Sequence, residues 1–489
     1  MDRTQDNLSH TTIVLYRLDL RLDDHPPLTY AANRGRVVPA YIGANGNSES
    51  ARPIGGASNW WLHQSLCSLA DALDKLGSPL VLRQGNPAQE LQALCKAVGA
   101  DQVAIHESID PAQQLLDDQL DDQLARSNIE LVRFGPPLLW PIGSVLTGSA
   151  QPYKVFTPFW NRAKSTPVEP PIDRPRAIQP PKHTPAPVPI EALGLLDDFD
   201  WAAGLRARWN PGEPNSLSAM DDFVQHRIDQ YHDSRDQLFH SPQTKPGWSA
   251  LSAPIHFGEL SVRRIWHTIQ SRCNDAIEHE PGPLAYARQL AWHDFAAHLL
   301  NHFPHTSTQP FREEFKRFPW ATNPDHLKRW QTGQTGYPIV DAAMRQLWHE
   351  GTMPNRARMI VASFLCKHLL ISWKEGEAWF WDTLVDADLA NNTFGWQWVA
   401  GCGADAAPYF RIFNPITQGK KFDPRGSYVR RWVPELADLT DALIHTPWLA
   451  PPLARQASGI TLGETYPFPI VDHKDARAKA LDAFAALKA

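Results

Sequence analysis

Short apolar runs alternate with longer helical patterns over residues 11–135. The runs are Thr12-Ile-Val-Leu-Tyr16, Val37-Val38, Leu80-Val-Leu82, Val103-Ala-Ile105 and Leu131-Val132. Helical patterns such as Trp60 through Leu76 separate them. This alternation predicts an α/β domain with a doubly wound parallel sheet over residues 10–140. Such sheets hold ligands beyond the carboxyl ends of their strands. The first strand is followed by Arg17-Leu-Asp-Leu-Arg-Leu-Asp-Asp24 and not by GxGxxG, so a Rossmann dinucleotide site is not supported.

Between Thr166 and Pro189 stand Pro167, Pro170, Pro171, Pro175, Pro180, Pro181, Pro185, Pro187 and Pro189. Proline lacks a backbone donor and fixes φ, which excludes a helix or an inner strand. The pattern predicts an extended, semi-rigid connector over residues 141–214 that spans some distance between two domains. From about residue 215 to 489 the pattern is helical and predicts an all-α domain. Pro338 opens a helix whose apolar face runs from Ile339 to Leu347 before Gly351 stops it. Met359 through Trp373 reads as one apolar helical stretch, and Asp475–Lys488 as a short amphipathic helix.

The 489 residues suffice for two or more domains with a large core. A formal charge of −6 excludes a globally basic nucleic-acid binder but leaves room for a local basic groove. The 19 tryptophans, against 10 tyrosines, serve either as core filling or as stacking surfaces for flat ligands. Cys67, Cys95, Cys273, Cys366 and Cys402 are scattered without a CxxC pair, which argues against a disulfide framework or a zinc cluster and for a reducing compartment. The amino terminus, Met1-Asp-Arg-Thr-Gln-Asp-Asn7, lacks an apolar signal core, and no apolar run reaches membrane-spanning length. A soluble, cytoplasmic protein is expected.

The chemistry concentrates in Trp381-Asp-Thr-Leu-Val-Asp-Ala-Asp-Leu-Ala-Asn-Asn-Thr-Phe-Gly-Trp-Gln-Trp398. Two carboxylates, Asp386 and Asp388, precede two amides, Asn391 and Asn392, and then two indoles, Trp396 and Trp398. Capping residues beside buried tryptophans would give this mixture. So would a pocket wall in which apolar faces meet a flat ligand and a few polar groups fix its edges. Three further blocks accompany it in order: Thr335-Gly-Tyr-Pro-Ile-Val-Asp-Ala-Ala-Met-Arg345, Met353-Pro-Asn-Arg-Ala-Arg-Met359 and Asp405-Ala-Ala-Pro-Tyr-Phe-Arg-Ile-Phe-Asn-Pro415. Together they resemble the flavin-binding signature of the photolyase/cryptochrome family, most closely its bacterial enzymes for cyclobutane pyrimidine dimers.

The resemblance implies FAD as cofactor. Arg358 and Asp386 would pair near the flavin N5 edge, Asp388 would lie near its other polar edge or the ribityl chain, and Asn392 would face N5. Tyr231 matches a further flavin contact. Gly247-Trp-Ser-Ala-Leu-Ser-Ala-Pro254, read alone, offers small residues and hydroxyls at a turn, suited either to a helix cap or to an anion. In the family the segment wraps the flavin pyrophosphate as Gly-Thr-Ser-Arg-Leu-Ser-Pro. Ser249, Leu251 and Ser252 are kept here, whereas Trp248, Ala250 and Ala253 depart from the pattern. Trp320, Trp373 and Trp396 match the family's tryptophan chain for electron delivery to the flavin.

The DNA face implied by the resemblance comprises Arg235, Gln289, Trp292, Asn355, Arg356, Met359, Trp398, Arg411 and Gln418. Lys420, Lys421 and Arg425 are candidate phosphate contacts. Photolyases take their target out of the DNA stack, and indole faces would receive the extruded dimer. Met359 resembles the methionine of cyclobutane-dimer enzymes, where (6-4) photolyases carry a His-rich motif and DASH cryptochromes a Gln. Gln289 stands where many dimer enzymes place a Glu. A second, antenna chromophore is expected in the amino-terminal domain, a methenyltetrahydrofolate or a deazaflavin. His106-Glu-Ser-Ile-Asp-Pro111 lacks the Trp-Asn-Arg common there, and no antenna residues are assigned.

The expected function is light-driven repair of cyclobutane pyrimidine dimers in UV-damaged DNA by a monomeric lyase without an obligatory protein partner. The alternative is a cryptochrome-type receptor that binds FAD without repair. Such receptors often carry a long tail, whereas the last family-like segment, Pro467-Phe-Pro-Ile-Val-Asp-His473, lies close to the end of this chain. A flavoprotein that binds single-stranded nucleic acid without photochemistry is a third reading.

Overall fold

The computed structural model describes residues 10–43, 52–197, 199–239, 247–406 and 410–487. The amino-terminal stretch 1–9, positions 407–409 of the fourth sequence block and Lys488 lie outside the described residues. Chain contacts divide the molecule into two compact units, Met1–His226 with Leu251–Pro304 and Arg227–Ala250 with His305–Ala489. The division falls elsewhere than the proline-rich stretch, and the chain enters each unit twice.

The first unit carries the expected parallel sheet. Its strands are β1 (His10–Tyr16), β2 (Gly35–Gly43), β3 (Val81–Gln84), β4 (Gln102–His106) and β5 (Glu130–Phe134), in the order β3-β2-β1-β4-β5. Ile13 pairs with Val38 on one side and Val103 on the other. Helices α1 (Pro26–Ala32), α2 (Gly56–Leu76), α3 (Pro87–Val98) and α4 (Pro111–Ala125) follow the first four strands. Their starts are written locally. Asn86 caps α3 through Ala88 N at 3.1 Å, Asp110 caps α4 through Ala112 N at 2.9 Å, and a proline follows each cap. Both faces of the central strands are buried, so Ile13, Val14, Val38, Val103 and Ile105 read as unbroken apolar runs without alternation.

The later part of the proline-rich stretch is hydrogen-bonded to the first unit. Val37 N donates to Gln179 O at 2.8 Å, Ile178 N to Leu76 O at 3.0 Å and Val188 N to Leu82 O at 3.2 Å. The guanidinium groups of Arg36 and Arg83 donate to Pro180 O and Ala186 O at 2.9 and 3.0 Å. Proline gives up its donor but keeps its carbonyl, and the interspersed Ile178, Gln179 and Val188 keep both. The segment therefore straps itself along the sheet unit. Helices α5 (Phe156–Ala163) and α6 (Pro281–His302) complete the first unit as far as it bears on function.

The second unit is helical. The helices that position candidate groups are α7 (Pro338–Glu350), α8 (Asn355–Ser363), α9 (Trp373–Thr383), α10 (Leu389–Ala400), α11 (Pro415–Phe422) and α12 (His473–Ala486). Gly351 ends α7 in the left-handed conformation, as its position predicts. Asp341 gathers the turn before α7: its buried carboxylate accepts from Thr335 N at 2.7 Å, Gly336 N at 3.0 Å and Tyr466 Oη at 2.6 Å. Gly336 has φ +79°, and a Cβ there would meet Phe468 O at 2.4 Å. The stretch Met359–Trp373 is not one helix. After α8 it widens into a π-helical turn at Phe364–His368, Leu370 takes φ +53°, and Ser372 caps α9. Apolar spacing marks these residues as buried without reporting a reversal between them.

Candidate functional site

Helix α10 begins at Asp388, whose Oδ1 accepts from Asn391 N at 2.8 Å and Asn391 Nδ2 at 2.7 Å. The other carboxylate of the sequence pattern turns to a different helix. Asp386, 5% exposed at its side chain, receives Arg358 Nη2 at 2.9 and 2.8 Å on its two oxygens. Arg358 comes from α8, and its Nε donates to Met353 O at 3.1 Å. A carboxylate this deep requires such a counter-charge.

Asn392 is one residue beyond Asn391 on α10. Its Nδ2 donates to Glu377 Oε1 at 2.9 Å and to Glu377 O at 3.1 Å. Both amide hydrogens are engaged by α9, which leaves Oδ1 as the acceptor that Asn392 can offer a ligand. Glu377 is absent from the sequence-derived site. Its signal is that a carboxylate four residues after buried Trp373 falls on the buried face of α9, where it is 6% exposed.

Trp396 is 2% exposed and meets Phe380 edge-on at 4.9 Å and Trp330 at 6.1 Å. Its indole lies directly on Gly376, where a Cβ would come within 2.1 Å of the ring. Among the described residues Trp396 Nε1 has no hydrogen-bond partner. Trp373 is buried in the same hydrophobic core, and Trp320 packs half-buried at its margin, 4.3 Å from Phe318. All three tryptophans of the expected electron chain therefore belong to one core.

Tyr231 is buried in the second unit, and burial raises its hydroxyl to about 12. The exposed Arg235 guanidinium lies 5.9 Å above the Tyr231 ring. Arg227 Nη1 donates to Trp248 O at 3.1 Å, which anchors the start of the segment bearing Ser249. Ala250 takes φ +61°. Leu251 is buried in the first unit, and Ser252 opens a short helix there.

The residues of the expected DNA face divide by exposure. Asn355, Arg411, Lys420, Lys421 and Arg425 are exposed, and Met359 and Trp398 are half-buried. Asn355 Nδ2 lies 3.9 Å from Met359 Sδ in the first turn of α8. Arg356 pairs with Asp236 at 2.7 Å and covers the Phe422 ring at 4.4 Å, so its charge is already engaged. Gln418 keeps a buried Oε1 without a partner among the described residues. Gln289 and Trp292 belong to α6 of the first unit. Gln289 is exposed, but Trp292 stacks on Phe156 at 3.6 Å and 9°, which removes one indole face from any base.

The crevice beyond β1 and β4, where the strand order reverses, is filled by the chain itself. His25 Nε2 and His106 Nδ1 both approach Asp19 Oδ2, at 2.9 and 2.8 Å, and all three residues are buried. Three such groups invite a metal reading. However, His25 Nδ1 accepts from Leu28 N at 3.1 Å, so Nε2 must carry the proton and donate to Asp19. Burial tends to raise Asp19, yet the two imidazoles and their hydrogen bonds outweigh it and hold the carboxyl well below its usual range. Burial takes His25 down to about 4. The cluster is a plug of neutral imidazoles around one carboxylate.

Two family models match the chain. One described as DNA photolyase matches residues 12–179, and one described as the FAD binding domain of DNA photolyase matches residues 286–486. The deoxyribodipyrimidine photo-lyase of Agrobacterium fabrum is 44% identical over 480 residues, 97% of this chain and 98% of the relative. Cryptochrome-1 of Arabidopsis thaliana is 34% identical over 482 residues, 96% of this chain and 70% of the relative. A solved bacterial class III photolyase from Agrobacterium tumefaciens has a TM-score of 0.92 at 42% identity, with all of both chains covered.

Proposed function

The chain belongs to the photolyase/cryptochrome family, and we propose from this premise that it splits cyclobutane pyrimidine dimers in UV-damaged DNA under blue or near-UV light. It is a light-dependent DNA-repair lyase of the deoxyribodipyrimidine photo-lyase type, with FAD as its cofactor. The observation that carries the reading is the polar edge built on α10: the Arg358–Asp386 pair, the cap Asp388, and the Asn392 amide with its nitrogen held by Glu377.

These groups fit a flavin. A flat heteroaromatic ring needs apolar walls, an acceptor at its edge and balanced charge. Asn392 offers Oδ1, and Arg358 with Asp386 brings a cation without net charge. Tyr231, Ser249, Leu251 and Ser252 would hold the remainder of the dinucleotide. The chemistry that FAD would supply there, when reduced and photoexcited, is loan of one electron to the dimer, returned to the flavin once the ring has opened. The protein's own groups position: Asn392 presents a neutral acceptor in a fixed orientation, and the core around Trp396, Phe380 and Trp330 excludes water. Trp320, Trp373 and Trp396 would relay electrons from an external reductant at the protein surface to oxidised flavin.

For the substrate, Trp398 would stack on the flipped dimer, and Trp292 is a further candidate contact. Met359 supplies a soft apolar contact, and Asn355, Arg411, Gln418 and Gln289 meet polar edges. Lys420, Lys421 and Arg425 would follow the phosphates, and Arg235 would lie at the DNA face, whereas Arg356 is held by Asp236. Residues 10–140 would serve as an antenna domain for methenyltetrahydrofolate or deazaflavin, residues 141–214 as the segment joining it to the remainder, and residues 215–489 as the catalytic domain. We assign the protein to the cytoplasm as a monomer. Its five cysteines are unpaired, and no helix among the described residues is long and apolar enough to cross a membrane.

The cryptochrome reading draws on the 34% identity to a plant cryptochrome. One experiment separates the two. Reduced protein is illuminated with an oligonucleotide carrying a single cyclobutane dimer, and the product is analysed. Restored pyrimidines support repair, whereas a light-responsive flavin spectrum with unrepaired DNA supports the receptor.

A further inference from the structure

On α6 of the first unit, His298 and His302 stand four residues apart, so their side chains share one helix face. Their ring centroids are 4.6 Å apart at 64°. His298 is 4% exposed, with the rings of Phe159 and Phe295 at 5.2 and 6.2 Å. Both Nε2 atoms are buried, and neither has a hydrogen-bond partner among the described residues. Buried polar atoms left in this way are rare and destabilising, and two in one helical turn call for a ligand.

Two imidazoles on one helix face, each with a buried and unpartnered Nε2, can turn a lone pair toward one shared ligand. Burial keeps His298 neutral, with its pKa taken down to about 4, and lowers that of His302 as well.

We propose that His298 and His302 chelate a borderline transition-metal cation of the Zn²⁺, Ni²⁺ or Cu²⁺ class through their Nε2 atoms, with water completing the coordination. Two histidines at this helical spacing form a familiar zinc-binding pair, and neutral imidazole selects these ions over Mg²⁺ or Ca²⁺, which require oxygen donors. Two protein ligands make the site open and exchangeable. It is independent of the flavin site, whose residues it does not share.

The test uses flavin-loaded protein freed of metal with a chelator. Zn²⁺ titration by calorimetry should weaken by at least about tenfold in both His298→Gln and His302→Gln, and stay unchanged in His293→Gln. The second readout is ¹¹³Cd NMR: His302→Cys should move the bound-cadmium resonance downfield, as only a thiolate in the coordination shell does. His302 is only partly buried, so its variants should fold even where those of His298 do not. If wild-type protein binds Zn²⁺ no more tightly than His302→Gln, or if His302→Cys leaves the cadmium resonance in place, the nitrogens are bridged by water and the proposal is wrong.

Discussion

Glu377 holds the amide nitrogen of Asn392 with two atoms, Oε1 at 2.9 Å and its own backbone oxygen at 3.1 Å. An amide can point either end at a ligand, and a carboxylate accepts only from the nitrogen end. The pair therefore decides which atom Asn392 presents, and it does so from a different helix. Glu377→Gln should blur that choice, since a neutral amide can meet Asn392 in either orientation. We expect the variant to fold, to retain FAD and to lose part of its repair rate, with a shifted flavin reduction potential measured by spectroelectrochemistry. An unchanged potential and an unchanged repair rate would show that Glu377 serves packing alone.

Arg358 is partly exposed while its partner Asp386 is buried, so the two ends of the pair are not equivalent. Arg358→Met should leave a buried carboxylate without its counter-charge and destabilise the protein by roughly 3–5 kcal/mol. Thermal unfolding with FAD fluorescence as the second signal would register this as a lower midpoint and early flavin release. A midpoint equal to wild type would mean that Asp386 is paired by other means.

Trp396→Phe should block photoreduction of oxidised flavin and leave repair by chemically reduced enzyme nearly intact, because the indole would feed the flavin and not touch the dimer. Absorbance after illumination reports the first effect and dimer repair the second. Collapse of both would remove Trp396 from an electron-delivery role. Gly376→Ala attacks the same ring sterically. Its methyl would fall within 2.1 Å of the indole, and overpacking of this kind costs about 1–3 kcal/mol.

Lys367 is 1% exposed, donates to Ala400 O at 2.7 Å at the end of α10, and lies 2.9 Å from the centroid of Phe410. Burial takes its pKa down to about 7, below the value of an unfolded lysine, about 10.4. The unfolded chain then binds more protons between those values, so this residue's contribution to stability rises with pH. The destabilisation is full below about pH 7 and relieved towards pH 10, with a slope approaching 1.4 kcal/mol per pH unit in mid-range. Denaturant unfolding of wild type and Lys367→Met from pH 6.5 to 9.5 should show the wild type gaining on the variant. A constant difference would mean that Lys367 stays charged in its pocket.

We expect substrate choice to turn on Met359 and Trp398. A cyclobutane dimer opens without prior protonation, whereas a (6-4) lesion needs a proton donor, and Met359 cannot be one. The protein should repair the former and leave the latter, and Trp398→Ala should weaken dimer binding more than tenfold if stacking contributes beyond about 1.4 kcal/mol. Neutralising Lys420 or Lys421 should reduce the salt slope of DNA binding by about 0.9 for each phosphate whose charge is no longer met. Repair of the (6-4) lesion alone would overturn the assignment.

Much of this was legible in the chain. Apolar runs and helical stretches specified the parallel sheet, because burial on both strand faces leaves its mark residue by residue. Asn86, Asp110, Asp388, Pro338 and Gly351 marked helix ends, because capping is settled within a few residues. The order Asp388, Asn391, Asn392, Trp396 put a cap, two amides and an indole on α10 for the same reason: a helix carries its spacing into space.

Only tertiary structure decided the rest. That residues 178–188 lie along β2 and β3, that Phe156 covers one face of Trp292, that Leu370 takes a left-handed conformation between two helices, and that Glu377 orients Asn392 all depend on partners remote in sequence or on a local break that spacing does not encode. A hydrogen bond or a stacked ring is set by distance and angle between elements. Local propensity fixes each element's own geometry, but it carries no information about which neighbour will complete a group's bonds.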